Sequence, residues 1–217
     1  ITLTMLQKLV RTYKLITKLN IFKSLYYSLR FKGRILVGKG SFFIDGNGKI
    51  EFLSPSSSLY VGVYTTVQTP TVITIMNNAK LIVGQNVMIN RGTKIVVHEN
   101  GSLKINDYTY INENSRVHCK KCISIGRRCA ISWNTNILDT DIHTIQYSKD
   151  GKNNHDYRVN IGNEVWIGAN STVLKGTIIE DNCIVAANSL VMGRLRSRCI
   201  YGGNPCQELK TFEIWSL

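Results

Sequence analysis

From Ile161 the chain reads IGNEVW IGANST VLKGTI IEDNCI VAANSL V, and Ile161, Ile167, Val173, Ile179, Val185 and Val191 recur every six residues. Four residues after each of the first five stands a small or β-branched side chain: Val165, Ser171, Thr177, Cys183 and Ser189. A helix spaces its apolar face at three and four residues and an amphipathic strand alternates at two, so a strict six fits neither. It predicts a short strand followed by a turn. The large residue and the small one four later point inward, Gly and Asn take the corners because they tolerate φ > 0, and the chain winds as a parallel β solenoid. Three hexads complete one triangular coil, and stacked coils lie about 4.8 Å apart.

The same phase appears upstream as VGQNVM INRGTK I (83–95), INDYTY INENSR V (105–117) and IGRRCA ISWNTN I (125–137), with weaker versions from Val37 and Val61. The pattern predicts roughly seven or eight coils, with extra corner residues extruded as small loops. It lapses at length in one place, between Ile137 and Ile161, where the polar run HTIQYSKDGKNNHDYRVN predicts a loop over about 143–160. Long loops on rigid scaffolds tend to carry function, which singles out His143 at the mouth of this one.

Ahead of the solenoid, residues 3–30 place Leu6, Leu9, Val10, Tyr13, Ile16 and Leu19 on one face of a helix with lysines on others. Three uses compete for it: capping the open first coil, lying on an anionic membrane, and binding an acidic partner. The predicted organisation is a basic amphipathic helical segment at 1–34, a β-helix domain at 35–204 and a C-terminal cap at 205–217.

Composition narrows the setting. With 217 residues, 43% of them hydrophobic, the chain can bury one main core. No apolar run approaches the roughly 20 residues that cross a bilayer, and the first residues lack a secretory signal, so a soluble cytoplasmic protein is expected. Met5 is a candidate for the natural start, since residue 1 is Ile. The six cysteines are too few and too oddly spaced for a disulfide scaffold. His118, Cys119 and Cys122 look like half a zinc site, but no second pair follows at suitable spacing, and no metal is expected. The net charge of +13 is concentrated at the N-terminus, where nine cations precede the first acidic residue, Asp45. No recognised motif or aromatic-interleaved basic strand accompanies that charge, which argues against nucleic acid.

With the segments DTDIH, IGNEVWIGANSTVLKGTIIEDNCIVAANSLV and GGNP, the sequence resembles the hexapeptide-repeat acyltransferases, a family of left-handed parallel β-helices that includes maltose, galactoside, streptogramin and surface-polysaccharide O-acetyltransferases. The resemblance runs from about residue 83 to 210. It implies an all-β, left-handed parallel β-helix with an N-terminal helical segment and a short C-terminal capping helix after Gly202–Pro205. It also implies that His143 is the general base that deprotonates an acceptor hydroxyl, a role neutral imidazole suits near pH 7. Asp139 and Asp141 are expected to orient the imidazole or contact the acceptor, although Asp-Thr-Asp also suits a corner bonding its own backbone. Trp166 is expected beside the histidine, and Asn112 at the acceptor. Lys120 and Lys121 replace an acidic pair of the disaccharide enzymes, which points away from a simple disaccharide.

The same resemblance implies acetyl-CoA as donor, lying between subunits of a homotrimer against Gly168, Ala169, Ala187 and Ser189, with Lys175, Arg194 and Lys210 near its phosphates. Small residues let a ligand approach the main chain, and the cations offset phosphate charge. The leading expectation is O-acetylation of a sugar in a bacterial surface polysaccharide or its precursor, with peripheral contact at the inner face of the membrane. Alternatives are a streptogramin-type or sugar N-acetyltransferase, a non-enzymatic scaffold, and a γ-type carbonic anhydrase. The last would need His98, His118 and His143 on zinc, at a spacing that family does not have.

Overall fold

The computed structural model describes residues 3–40, 42–64, 69–146 and 155–215. Every third strand belongs to the same sheet, so the chain winds through three parallel sheets in rotation. The first runs from Arg34–Val37 through Ala130–Ile131 and Trp166–Ile167 to Cys199–Gly203. The second contains Arg116–Cys119, Asn136–Leu138 and Thr172–Val173, and the third contains Cys122–Ile125, Val159–Ile161 and Ile178–Ile179. Among the described residues, the second and third sheets hold seven strands each, which makes seven full coils.

The six-residue period is preserved as register. Ile89, Ile111, Ile131, Ile167 and Val185 lie on one another up the first sheet. Ile105, Ile125, Ile161, Ile179 and Leu195 do the same up the third. These columns point inward, and all of their members are buried. Each such aliphatic side chain contributes about 1.5–3 kcal/mol by leaving water.

The small inward residues satisfy the corners. Thr109, Thr177 and Ser189 donate their hydroxyls to the carbonyls of Gly126, Leu174 and Ala186 at 2.6, 2.6 and 2.7 Å. Some also accept from the next coil, as when Cys129 N–H reaches Thr109 Oγ1 at 3.0 Å. A turn in which the chain changes sheet leaves backbone groups without a ladder partner, and a buried hydroxyl supplies one. The left-handed corner position is filled mostly by asparagine, including Asn114, Asn134, Asn170, Asn182 and Asn188, with φ between 55° and 59°.

The N-terminal segment forms two helices, α1 (Leu3–Lys18) and α2 (Ile21–Arg30), where a single amphipathic face was expected. Leu19 bridges to Gly38, and the Asn20 side chain accepts from Lys23 N–H to start the second helix. Tyr13 and Ile16 of the expected face are exposed, and the side chains of Leu6, Leu9 and Val10 lie outside the described residues. The cap is α2. Val37 N–H donates to Ser24 Oγ at 2.9 Å, and Ile35 N–H to Ser28 Oγ at 3.0 Å. Two donors on the free edge of the first coil are thereby satisfied by helix side chains, and Tyr27 enters the core beneath them.

The C-terminal end also departs from expectation. After Gly203 the chain turns into a strand, Cys206–Thr211, paired antiparallel with Cys199–Gly203, where a capping helix was expected. An antiparallel strand closes the last parallel edge by ordinary ladder bonds, which a helix laid across it would not do. Arg196 and Glu208 tie the hairpin at 2.7 Å, and Trp215 Nε1 donates to Glu164 O at 2.8 Å.

Candidate active site

The polar loop leaves the solenoid above Asn136–Leu138, at the corner between the second and third sheets. Asp139, the first residue out, has no exposed surface. Its carboxylate accepts from the backbone N–H groups of Lys120, Lys121 and Cys122 at 2.7, 2.8 and 2.7 Å. Asp139 was expected to face the imidazole or the acceptor; instead its oxygens are spent clamping the coil below. Burial, reinforced by this carboxylate, pushes the Cys119 thiol up.

Asp141 is placed differently. It is partly exposed and forms an ion pair with Lys175 Nζ, which also donates to His155 O at 2.9 Å. Lys175 was expected at the phosphate end of a cofactor; the structure engages it in the loop, 5.8 Å from the ring centroid of Tyr157. Further bonds hold the returning arm. Tyr157 N–H donates to Asp139 O at 3.1 Å, Lys121 Nζ donates to Asp156 O at 3.3 Å, and Lys120 pairs with the Asp156 carboxylate at 3.3 Å. Burial by itself would raise the Asp156 pKa, but hydrogen bonds from Thr140 and Lys120 and the charges of Lys120 and Lys175 outweigh it and hold the carboxyl below its ordinary range.

His143 stands on this clasp. It is exposed, and its backbone N–H donates to Asp141 O at 2.7 Å. The residue before it, Ile142, has φ 65°, a conformation β-branched residues rarely adopt, and its N–H donates to Thr140 Oγ1 at 2.9 Å. Residues 147–154 of the expected loop lie outside the described residues.

The other expected site residues fall elsewhere. Gly168, Ala169, Ala187 and Ser189 line the corner between the first and second sheets. A Cβ on Gly168 would meet Ala187 N at 2.5 Å, so glycine is required there by the next coil. Ala187 is exposed, whereas Ser189 is buried with its hydroxyl on Ala186 O, which leaves no side-chain donor for a ligand. Asn112, at the same corner, accepts from Asn90 Nδ2 at 2.7 Å. Arg194 pairs with Glu180 on the third sheet, and Lys210 is exposed on the C-terminal strand.

Trp166, expected beside the histidine, points outward, 43% exposed, on the first sheet and not at the His143 corner of its own chain. Its Nε1 donates to Ser132 Oγ at 3.2 Å, and its ring lies 6.0 Å from that of Trp215. Cys119 points into the core while Cys122 is half-buried, and among the described residues no group of three His, Cys, Asp or Glu could hold a metal. A cleft of about 910 Å³ lies away from His143, lined by Met88, Tyr108, Tyr110, Arg127 and Arg128 among others on the first sheet and its corner.

The bacterial transferase hexapeptide family (six repeats) matches residues 158–193. An uncharacterised 24.8 kDa protein of the cps region of Klebsiella pneumoniae is 30% identical over 204 residues, 94% of this chain and 84% of that protein. The chain belongs to the hexapeptide-repeat acyltransferases. The polysialic acid O-acetyltransferase of Neisseria meningitidis is 32% identical over 130 residues, 59% of this chain and 60% of its own length. The crystallographic structure of the polysialic acid O-acetyltransferase OatWY superposes with a TM-score of 0.62 at 25% identity, over 81% of this chain and 91% of that one.

Family membership makes the protein an acetyltransferase and its solenoid a left-handed one. It does not account for the clasp. Lys120, Lys121, Asp156 and Tyr157 lie 16 to 36 residues away from their partners in sequence, and none carries a signal beyond the polarity of its segment.

Proposed function

We propose that the enzyme transfers the acetyl group of acetyl-CoA to a sugar hydroxyl of a bacterial surface polysaccharide or its precursor, with His143 as general base. The observation that carries this reading is an exposed histidine on a loop whose two arms are bonded to each other and to a rigid solenoid. The O-acetyltransferase names of the relatives support the acceptor class. Neutral imidazole accepts the hydroxyl proton as the oxygen attacks the thioester carbonyl. The C–S bond then breaks, the coenzyme leaves as thiolate, and the imidazolium returns the proton to it, giving an ester and free coenzyme A.

Within one chain the small-residue corner at Gly168 and Ala187 and the histidine corner at His143 are separated by the second sheet. Copies packed side by side, as a homotrimer, would set one chain's donor groove against its neighbour's histidine. Light scattering that found a monomer at working concentration would overturn this arrangement. For the chemistry, His143→Ala is expected to lower turnover at least about 100-fold while calorimetric binding of acetyl-CoA is unchanged. Near-normal turnover would remove His143 from the mechanism. Hydrolysis of the product by mild base separates an ester from an amide and so tests the acceptor atom.

A further inference from the structure

Capping the first coil uses only one face of α2, through Ser24, Tyr27 and Ser28. The opposite arc carries Ile21, Phe22, Leu25, Tyr26 and Leu29, five large apolar side chains on ten residues. Phe22 is 88% exposed and Leu29 70%, and the other three are between 57% and 62% exposed. A contiguous apolar patch of this kind is unfavourable in water unless something covers it. Lys23 and Arg30 run along one side of the arc, where Lys23 Nζ also reaches Phe42 O at 3.4 Å and Arg30 Nη2 reaches Gly46 O at 3.2 Å; Lys14, Lys18, Lys32 and Arg34 adjoin it in the chain, and no acidic residue precedes Asp45 in the sequence.

We propose that this face docks on the surface of an anionic lipid bilayer, with Phe22, Leu25 and Leu29 at the acyl boundary and the flanking cations among the headgroup phosphates. The combination of a bulky apolar arc and a one-signed basic rim is what an interfacial helix needs. A second copy is the weaker occupant, because face-to-face packing would set Lys23 and Arg30 against their own equivalents. The helix lies on the membrane and does not cross it: at ten residues it is far short of the roughly 20 that a span requires. The inference is independent of the acceptor and of the role of His143.

The test is co-sedimentation of the full chain with extruded vesicles of phosphatidylcholine alone or with about one-third phosphatidylglycerol, at low and high salt. The wild type is expected to bind the anionic vesicles at least about tenfold more strongly than the neutral ones, and less at high salt. Phe22→Asp with Leu29→Asp is expected to lower that binding about tenfold or more while the circular dichroism is unchanged. Should the double variant fail to fold, Phe22→Ser replaces one almost fully exposed ring and is expected to weaken binding in the same direction. Equal partition of wild type and variant, or no binding to anionic vesicles, would overturn the proposal. So would a vesicle-free assembly, seen by light scattering, that the variant dissociates, since the occupant would then be a second copy.

Discussion

Asp139 is accommodated without exposed surface because three backbone N–H groups point at its two oxygens. Asp139→Ala would remove the acceptor of all three and is expected to cost about 1–3 kcal/mol in urea unfolding, since these donors are only partly shielded from water. Lys175→Ala is expected to behave oppositely. Its ion pair with Asp141 is partly solvated, so stability should change by less than about 1 kcal/mol. Turnover should fall about tenfold through misplacement of the histidine loop, with the KM for acetyl-CoA unchanged. A raised KM with normal turnover would instead return Lys175 to the phosphate-binding role that the family resemblance implied.

Each element is closed by a local device. The α2 cap depends on two serine hydroxyls at one-turn spacing that accept from strand N–H groups. Ser24→Ala with Ser28→Ala is expected to lower stability by about 2–4 kcal/mol, from the desolvation of two unpaired donors. Light scattering should also show self-association, because the freed edge is a template for another strand. At the corners, Asn182 sits at φ 55°, where alanine is disfavoured by about 1–2 kcal/mol and glycine is not. Thermal unfolding of Asn182→Ala and Asn182→Gly should separate by that amount.

Over the whole molecule, stability in base is expected to depend on thiols in the inward positions that other coils give to Ser, Thr or Val. Burial pushes Cys129 up to about 11 and Cys183 up to about 12, from an ordinary value of 9.0. The folded state favours the protonated thiols. Their contribution is therefore fully present below pH 9.0 and is lost as pH climbs through 11 to 12. Cys129→Val with Cys183→Val, which copies Val165 at the same hexad position, is expected to raise the midpoint of alkaline unfolding followed by circular dichroism. An unchanged midpoint would mean that other groups govern it.

The sequence by itself determined the solenoid, because a six-residue period is a strictly local rule: each large aliphatic and each small residue four later needs only its own coil to know which way to point. Corner asparagines, the outward Trp166 and a polar loop opening at His143 follow from the same rule. Tertiary structure decided what depends on residues far apart in the chain. Stacking the coils brought Lys120, Lys121 and Cys122 beneath Asp139, which turned an expected site residue into a buried clamp, and it brought Lys175 to Asp141. It also decided how the ends close, since whether a helix or a strand covers an edge depends on which backbone groups that edge leaves unpaired. At the N-terminus those groups are the donors of Ile35 and Val37, met by Ser28 and Ser24; at the C-terminus they are the free ladder of Cys199–Gly203, met by Cys206–Thr211.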